Sequence, residues 1–133
     1  MPALNKKMEL ICPAGNLPTL RAAVDNGADA VYIGFRNRTN ARNFPGLNFS
    51  PEEALEGVRY ARKNGKRLFL AINTFPVPEH WQEAVKAVDT AAEIGVDALI
   101  LADIGLMNYT ARTHPDLRLH LSVQGSATNR HAI

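Results

Sequence analysis

Apolar residues recur along the chain in short blocks of strand length: ELIC (Glu9 to Cys12), DAVYIG (Asp29 to Gly34), RLFLAIN (Arg67 to Asn73), DALILAD (Asp97 to Asp103) and RLHLSV (Arg118 to Val123). The segments between them are of helical length, so the order reads β-α-β-α-β-α-β-α-β, the mark of a parallel sheet. AVYI, LFLAI and ALILA are apolar on both faces, as in strands buried between two layers. The last block differs. There Leu119, Leu121 and Val123 alternate with His120, Ser122 and Gln124, which predicts a strand with one polar face.

Local signals place the helices. Ser50 followed by Pro51, Glu52 and Glu53 supplies an N-cap, a proline in the first turn and a capping-box glutamate. Asn16 can cap the first helix, with Leu17, Leu20 and Val24 as its apolar stripe; Trp81, Val85, Val88 and Ala92 form the stripe of the third. Gly27, Gly65 and Gly95 mark helix ends. The echo between AAVDNGADAVYIG and TAAEIGVDALILA reads as two similar turns, in which glycine ends the helix and Asp29 or Asp97 caps the turn before the strand.

The αβ connections are short, whereas the segments after the second strand (Gly34 to Ser50) and the third (NTFPVPEH) are long and polar. Ligands of parallel α/β folds sit at the carboxyl ends of the strands, so function is expected on the long-loop side. A complete (β/α)8 barrel takes roughly 250 residues. The 133 residues here supply five strands. The pattern favours a partial TIM-like barrel, about five of eight strands, with a complete flavodoxin-like sheet as the alternative. No Gly-x-Gly-x-x-Gly follows a strand, which removes the main support for dinucleotide binding.

Composition narrows the class without naming a chemistry. The chain is 46% hydrophobic and 21% charged, with no apolar run long enough to span a bilayer. Its net charge of +2 is too small to argue for a polynucleotide partner by bulk field. A single cysteine, Cys12, can form neither an internal disulfide nor a thiolate metal site, and a cytoplasmic setting is expected. Residues 1–7 read as a polar lead-in.

The Gly34 to Ser50 loop carries Arg36, Arg38 and Arg42, asparagines 37, 40, 43 and 48, three phenylalanines and no acid. Guanidinium and amide groups over a strand end suit a carboxylate, a phosphate or an RNA backbone. They suit as well a solvated loop whose asparagines make turns and whose phenylalanines anchor it. Asn73 and Asp103 end the third and fourth strands; Asp103 could hold a cation, act as a base or cap the next helix. The polar side of the fifth strand, turned inward, would bring His120, Ser122 and Gln124 to the barrel interior, where apolar layers are the norm. The candidate substrate-binding residues are therefore Asn16, Arg36, Asn40, Arg42, Asn73, Asp103, His120, Ser122 and Gln124. No nucleophile, base or metal-ligand spacing stands out, and no catalytic residue is assigned.

MELICPAGNLPTLRAAVDNGADAVYIG, TNARNFPGLNF, LFLAINTF, GVDALILAD and HLSVQGSATN together resemble the amino-terminal part of the collagenase-like peptidase family, U32, over nearly the whole chain from Met8. TNARNFPGLNF is most similar to the ubiquinone-biosynthesis branch. The resemblance implies a TIM-barrel-like domain, of which residues 8–133 are the amino-terminal part, truncated after the fifth strand. It implies oxygen-independent hydroxylation of a small aromatic or prenylated substrate and a sister subunit of the same family as partner in a heterodimer. It also implies a 4Fe-4S cluster whose cysteines lie beyond the matched region, so that this chain alone would bind none. The family's traditional name suggests a peptidase as the alternative, and its RNA-modifying branches suggest nucleic acid, a less favoured partner.

Overall fold

The structure, a computed structural model, describes residues 7–133. Of the expected lead-in, all but Lys7 lies outside the described residues. Five strands, β1 (Ile11–Pro13), β2 (Ala30–Gly34), β3 (Arg67–Ile72), β4 (Ala98–Leu101) and β5 (Arg118–Leu121), pair in parallel in simple sequence order. Helices α1 (Leu17–Asp25), α2 (Pro51–Lys63), α3 (Trp81–Ile94) and α4 (Ile104–Thr113) connect them.

Strand parity settles the choice between barrel and open sheet. Val31 and Ile33 of β2, Leu68, Leu70 and Ile72 of β3, and Leu99 and Leu101 of β4 join one core with Leu20, Val58, Val88 and Leu106 of the four helices. Residues of the opposite parity, Ala30, Phe69 and Ala98 with Tyr32 and Ile100, form a second cluster that contains no helical residue. All four helices therefore cover one face of a sheet whose order is 1-2-3-4-5. A flavodoxin-like sheet has helices on both faces and a switch in strand order, so this is the arc of a TIM-like barrel with helices outside and the other face turned inward.

The caps form as expected. Asn16 Oδ1 accepts the Thr19 backbone N–H at 2.9 Å, the Ser50 hydroxyl accepts the Glu53 N–H at 3.2 Å, and Glu53 reaches back to the Ser50 N–H at 2.8 Å. Gly95, at φ +80°, takes the left-handed position that closes α3. Two readings need correction. On α3 the buried residues are Ala84, Ala87, Val88 and Ala91, a stripe rotated from the expected one; alanines meet the sheet while Trp81 and Val85 pack at the margin. The aspartates of the repeated turns do not cap their own turns: Asp29 Oδ2 accepts the Leu10 N–H at 2.8 Å and Asp97 Oδ2 the Leu68 N–H at 2.7 Å. Each ties the start of its strand to the preceding one.

The hydrogen bond from Leu10 holds the Asp29 carboxyl below its ordinary value, helped by the Lys66, Lys7 and Arg67 charges and opposed by partial burial. A carboxylate lowered in the folded state binds fewer protons there than in the unfolded chain. Its stabilisation is complete above the unfolded value of about 3.9 and fades as pH falls through the lower folded value. Urea midpoints measured from about pH 5 downward should therefore fall less steeply for Asp29→Asn than for the parent chain. Equal slopes would remove Asp29 from the acid response.

Candidate functional site

The inward face of the sheet is lined by alternate strand residues, and the paired strands bring them into rows. Pro13, Tyr32, Phe69, Ala98 and Arg118 form one row, and Gly34, Ala71, Ile100 and His120 the next. Above them, toward the carboxyl ends, lies a cavity of ≈ 640 Å³. Tyr32, Phe69 and Ile100 make its floor, and His120 stands edge-on to Phe69 with ring centroids 5.0 Å apart.

The loop from Phe35 to Phe49 builds the rim. It leaves and returns as a closed flap: Phe35 and Phe49 form a parallel bridge and are buried, and the Phe49 N–H donates to the Gly34 carbonyl at 3.1 Å. The third phenylalanine, Phe44, is exposed and lies at the cavity edge with Leu47. Asn48 takes φ +77°, a left-handed conformation asparagine tolerates, and its N–H donates to the Gly15 carbonyl at 2.7 Å. The Asn73 N–H donates to the Thr39 carbonyl at 3.1 Å, which fastens the flap to the end of β3.

Six of the nine residues expected from the sequence line this cavity: Asn40, Arg42, Asn73, His120, Ser122 and Gln124. Three do not, for visible reasons. Asn16 caps α1, and Asp103 Oδ1 caps α4 by accepting the Leu106 N–H at 2.9 Å. Arg36 is turned away from the cavity, its guanidinium 2.8 Å from Glu53 and 3.0 Å from the Asn48 carbonyl. Arg38 is similarly engaged, 3.2 Å from Glu83 and against the His80 ring. The acid-free loop thus draws on acids of α2 and α3, and Arg42 alone of its three arginines has no acidic partner within 4.0 Å among the described residues.

The polar stripe of the fifth strand is shorter than expected. Pairing stops at Leu121; Ser122 still donates its N–H to the Leu101 carbonyl at 2.7 Å, and then the chain turns into a single 3-10 turn, Val123–Gly125. Of His120, Ser122 and Gln124, His120 alone is an inward strand residue. Ser122 is buried, its hydroxyl accepting the Gln124 N–H at 3.2 Å, and Val123 is exposed rather than packed under helices. Tyr32, Phe69 and Ile100 were not singled out from the sequence, and Asn48 was named only as one of the loop's four asparagines. The alternation in AVYIG and RLFLAI carried the first two, but strands apolar on both faces hide which parity points inward.

No described set of three or more His, Cys, Asp or Glu residues is placed to hold a metal ion. Cys12 packs against the helix-covered core, on the face opposite the cavity. An iron-sulfur cluster, which takes several thiolates, does not fit the described residues. No helix among them is long and apolar enough to cross a membrane.

Comparison with known proteins places this arrangement. An uncharacterized protease of Methanocaldococcus jannaschii is 38% identical over 125 residues, 92% of this chain and 29% of that protein. The tRNA hydroxylation protein P1 of Bacillus subtilis is 36% identical over 133 residues, 98% of this chain and 30% of that protein. The chain thus spans about three tenths of the length of these relatives. The solved structure of the U32 peptidase Mk0906 superposes with a TM-score of 0.71 over 99% of this chain and 56% of that one; at 16% identity it speaks for the fold. Residues 15–133 match the model of Peptidase family U32, and the chain belongs to that family.

Proposed function

We propose that the chain is the substrate-holding, amino-terminal part of an oxygen-independent hydroxylation protein that acts on a small aromatic or prenylated ring compound in ubiquinone synthesis. The observation that carries this reading is the cavity. Its floor is aromatic and aliphatic, and no acidic side chain lines it among the described residues. Such a floor suits a planar apolar ring. The ion pairs of Arg36 and Arg38 argue against a cationic track for a polynucleotide backbone, which needs several unpaired guanidinium or ammonium groups. Relatives named for tRNA hydroxylation favour hydroxylation over peptide cleavage. The described site agrees, because Ser122 and His120 are not hydrogen-bonded to each other and the Ser122 hydroxyl serves a turn.

The net change is R–H + XO giving R–OH + X, where XO is an oxygen-atom donor other than dioxygen that is itself reduced by two electrons. A 4Fe-4S cluster, with ligands from outside these residues, and a sister subunit of the same family complete the proposed enzyme in the cytoplasm. What this chain supplies is the ring-binding floor and its polar rim.

The test is deletion of the gene in its source organism under anoxic growth, with ubiquinone and hydroxylated tRNA nucleosides both measured by mass spectrometry. Loss of ubiquinone with tRNA unchanged is the expected result. Loss of the tRNA modification alone would move the substrate to RNA, and loss of neither, with peptide cleavage by the purified protein, would return the reading to a peptidase.

A further inference from the structure

The rim of the cavity is built from asparagines that each spend one end of the amide on the flap. Asn40 Oδ1 accepts the Arg42 N–H at 3.0 Å, and Asn73 Oδ1 accepts the Ala41 N–H at 2.9 Å. A backbone N–H can only donate, so the oxygen of each amide must face it and the orientation of both is fixed. Their Nδ2 groups are left without an acceptor among the described residues, at the cavity wall. Asn40 is only 7% exposed, and its Nδ2 lies over Gly34 on the inward face, where a Cβ would come within 2.2 Å of it. No buried side-chain nitrogen or oxygen among the described residues lacks a partner, so these amide N–H2 groups are open to the cavity solvent and available to a ligand acceptor.

The remaining rim has the same bias. Arg42 lines the cavity with no acidic partner among the described residues, and His120 lines it from β5. Asn48 is the exception: its Nδ2 donates to the Arg42 carbonyl at 2.8 Å, which leaves its Oδ1. With two free amide donors, one guanidinium and no carboxylate, the rim is complementary to a ligand oxygen anion. Directly beneath it lie Tyr32, Phe69 and Ile100.

We propose that Asn40, Asn73 and Arg42 form a donor rim that binds the carboxylate of a ring-bearing ligand whose ring rests on Tyr32 and Phe69. This rests on the reading of the cavity as the substrate site and names the ligand chemistry it takes. A planar carboxylate matches two amide donors and a guanidinium fork better than a carbonyl does, because each of its oxygens accepts more than one hydrogen bond.

Titration of the chain with benzoate, followed by ligand-observed NMR, tests this, with benzamide and inorganic phosphate as the comparison probes. Benzoate should bind, with benzamide about tenfold weaker or more and phosphate failing to displace it. Asn40→Asp and Asn73→Asp keep the Oδ1 that holds the flap and replace each Nδ2 donor with a second, anionic oxygen. Each should weaken benzoate by about tenfold or more while the far-ultraviolet circular dichroism stays that of the parent. Should either variant misfold, Arg42→Gln, at an exposed position, decides by the same measurement.

Undiminished benzoate binding in Arg42→Gln and in both aspartate variants overturns the proposal, as do equal affinity for benzamide and the absence of benzoate binding by the parent chain. If ubiquinone is unaffected by gene deletion while benzoate still binds at this rim, the functional reading fails and this one stands. If deletion removes ubiquinone but benzoate ignores the rim, the reverse holds.

Discussion

Gly34→Ala is expected to destabilise the fold and to eject the Asn40 side chain from its place over β2. A Cβ at Gly34 would lie 2.2 Å from Asn40 Nδ2 and 2.6 Å from its Cγ, closer than non-bonded atoms approach. Gly34 has no left-handed φ, so alanine fits its backbone and the penalty is steric alone. Asn40 has little room to yield, being 7% exposed with its Oδ1 committed to the Arg42 N–H. Overpacking of this kind costs about 1–3 kcal/mol. The urea midpoint should fall accordingly, and benzoate binding should be lost with the displaced amide. The double variant Gly34→Ala with Asn40→Ala should recover most of the lost stability, because the second change removes what the first collides with. A single variant as stable as the parent, with benzoate still bound, would mean that Asn40 does not occupy the space over Gly34.

That close approach had no signature in the sequence. A glycine at the end of AVYIG reads as the start of a loop, and an asparagine six residues later reads as a turn former. Their meeting depends on the flap folding back, which the Phe35–Phe49 bridge and the Asn73–Thr39 hydrogen bond bring about. The strands and helices were legible because their signals are local: Ser50, Pro51 and Glu53 sit within one turn, and so do Asn16 and Thr19. The arginines were legible only as a group. Arg36 and Arg38 find Glu53 and Glu83 across the fold, and no spacing in the loop announces that Arg42 will be left without such a partner. The stop of β5 at Leu121 was likewise hidden, since the apolar-polar alternation runs on through Val123 and Gln124 after the ladder has ended.

Leu70→Ala is expected to be the most damaging of the substitutions considered, and its comparison with Ile100→Ala tests the two-sided character of the sheet. Leu70 lies on the middle strand between Ile33 and Leu99, is fully buried, and belongs to the core that also holds Val58 of α2 and Val88 of α3. With neighbours on the strands beside it and helices above, truncation leaves a void that the structure can close only in part. Such changes cost about 2–5 kcal/mol, against a total of roughly 5–15 kcal/mol for a typical domain. Ile100 is on the next strand but of inward parity, and its side chain borders the cavity. Truncation there enlarges a space that is already open, so only part of the transfer energy is lost, about 1 kcal/mol. Urea denaturation of both variants should separate them clearly, with the midpoint of Leu70→Ala much the lower. Equal losses would mean that the inward face is as tightly packed as the helix-covered one, leaving no room there for a ring.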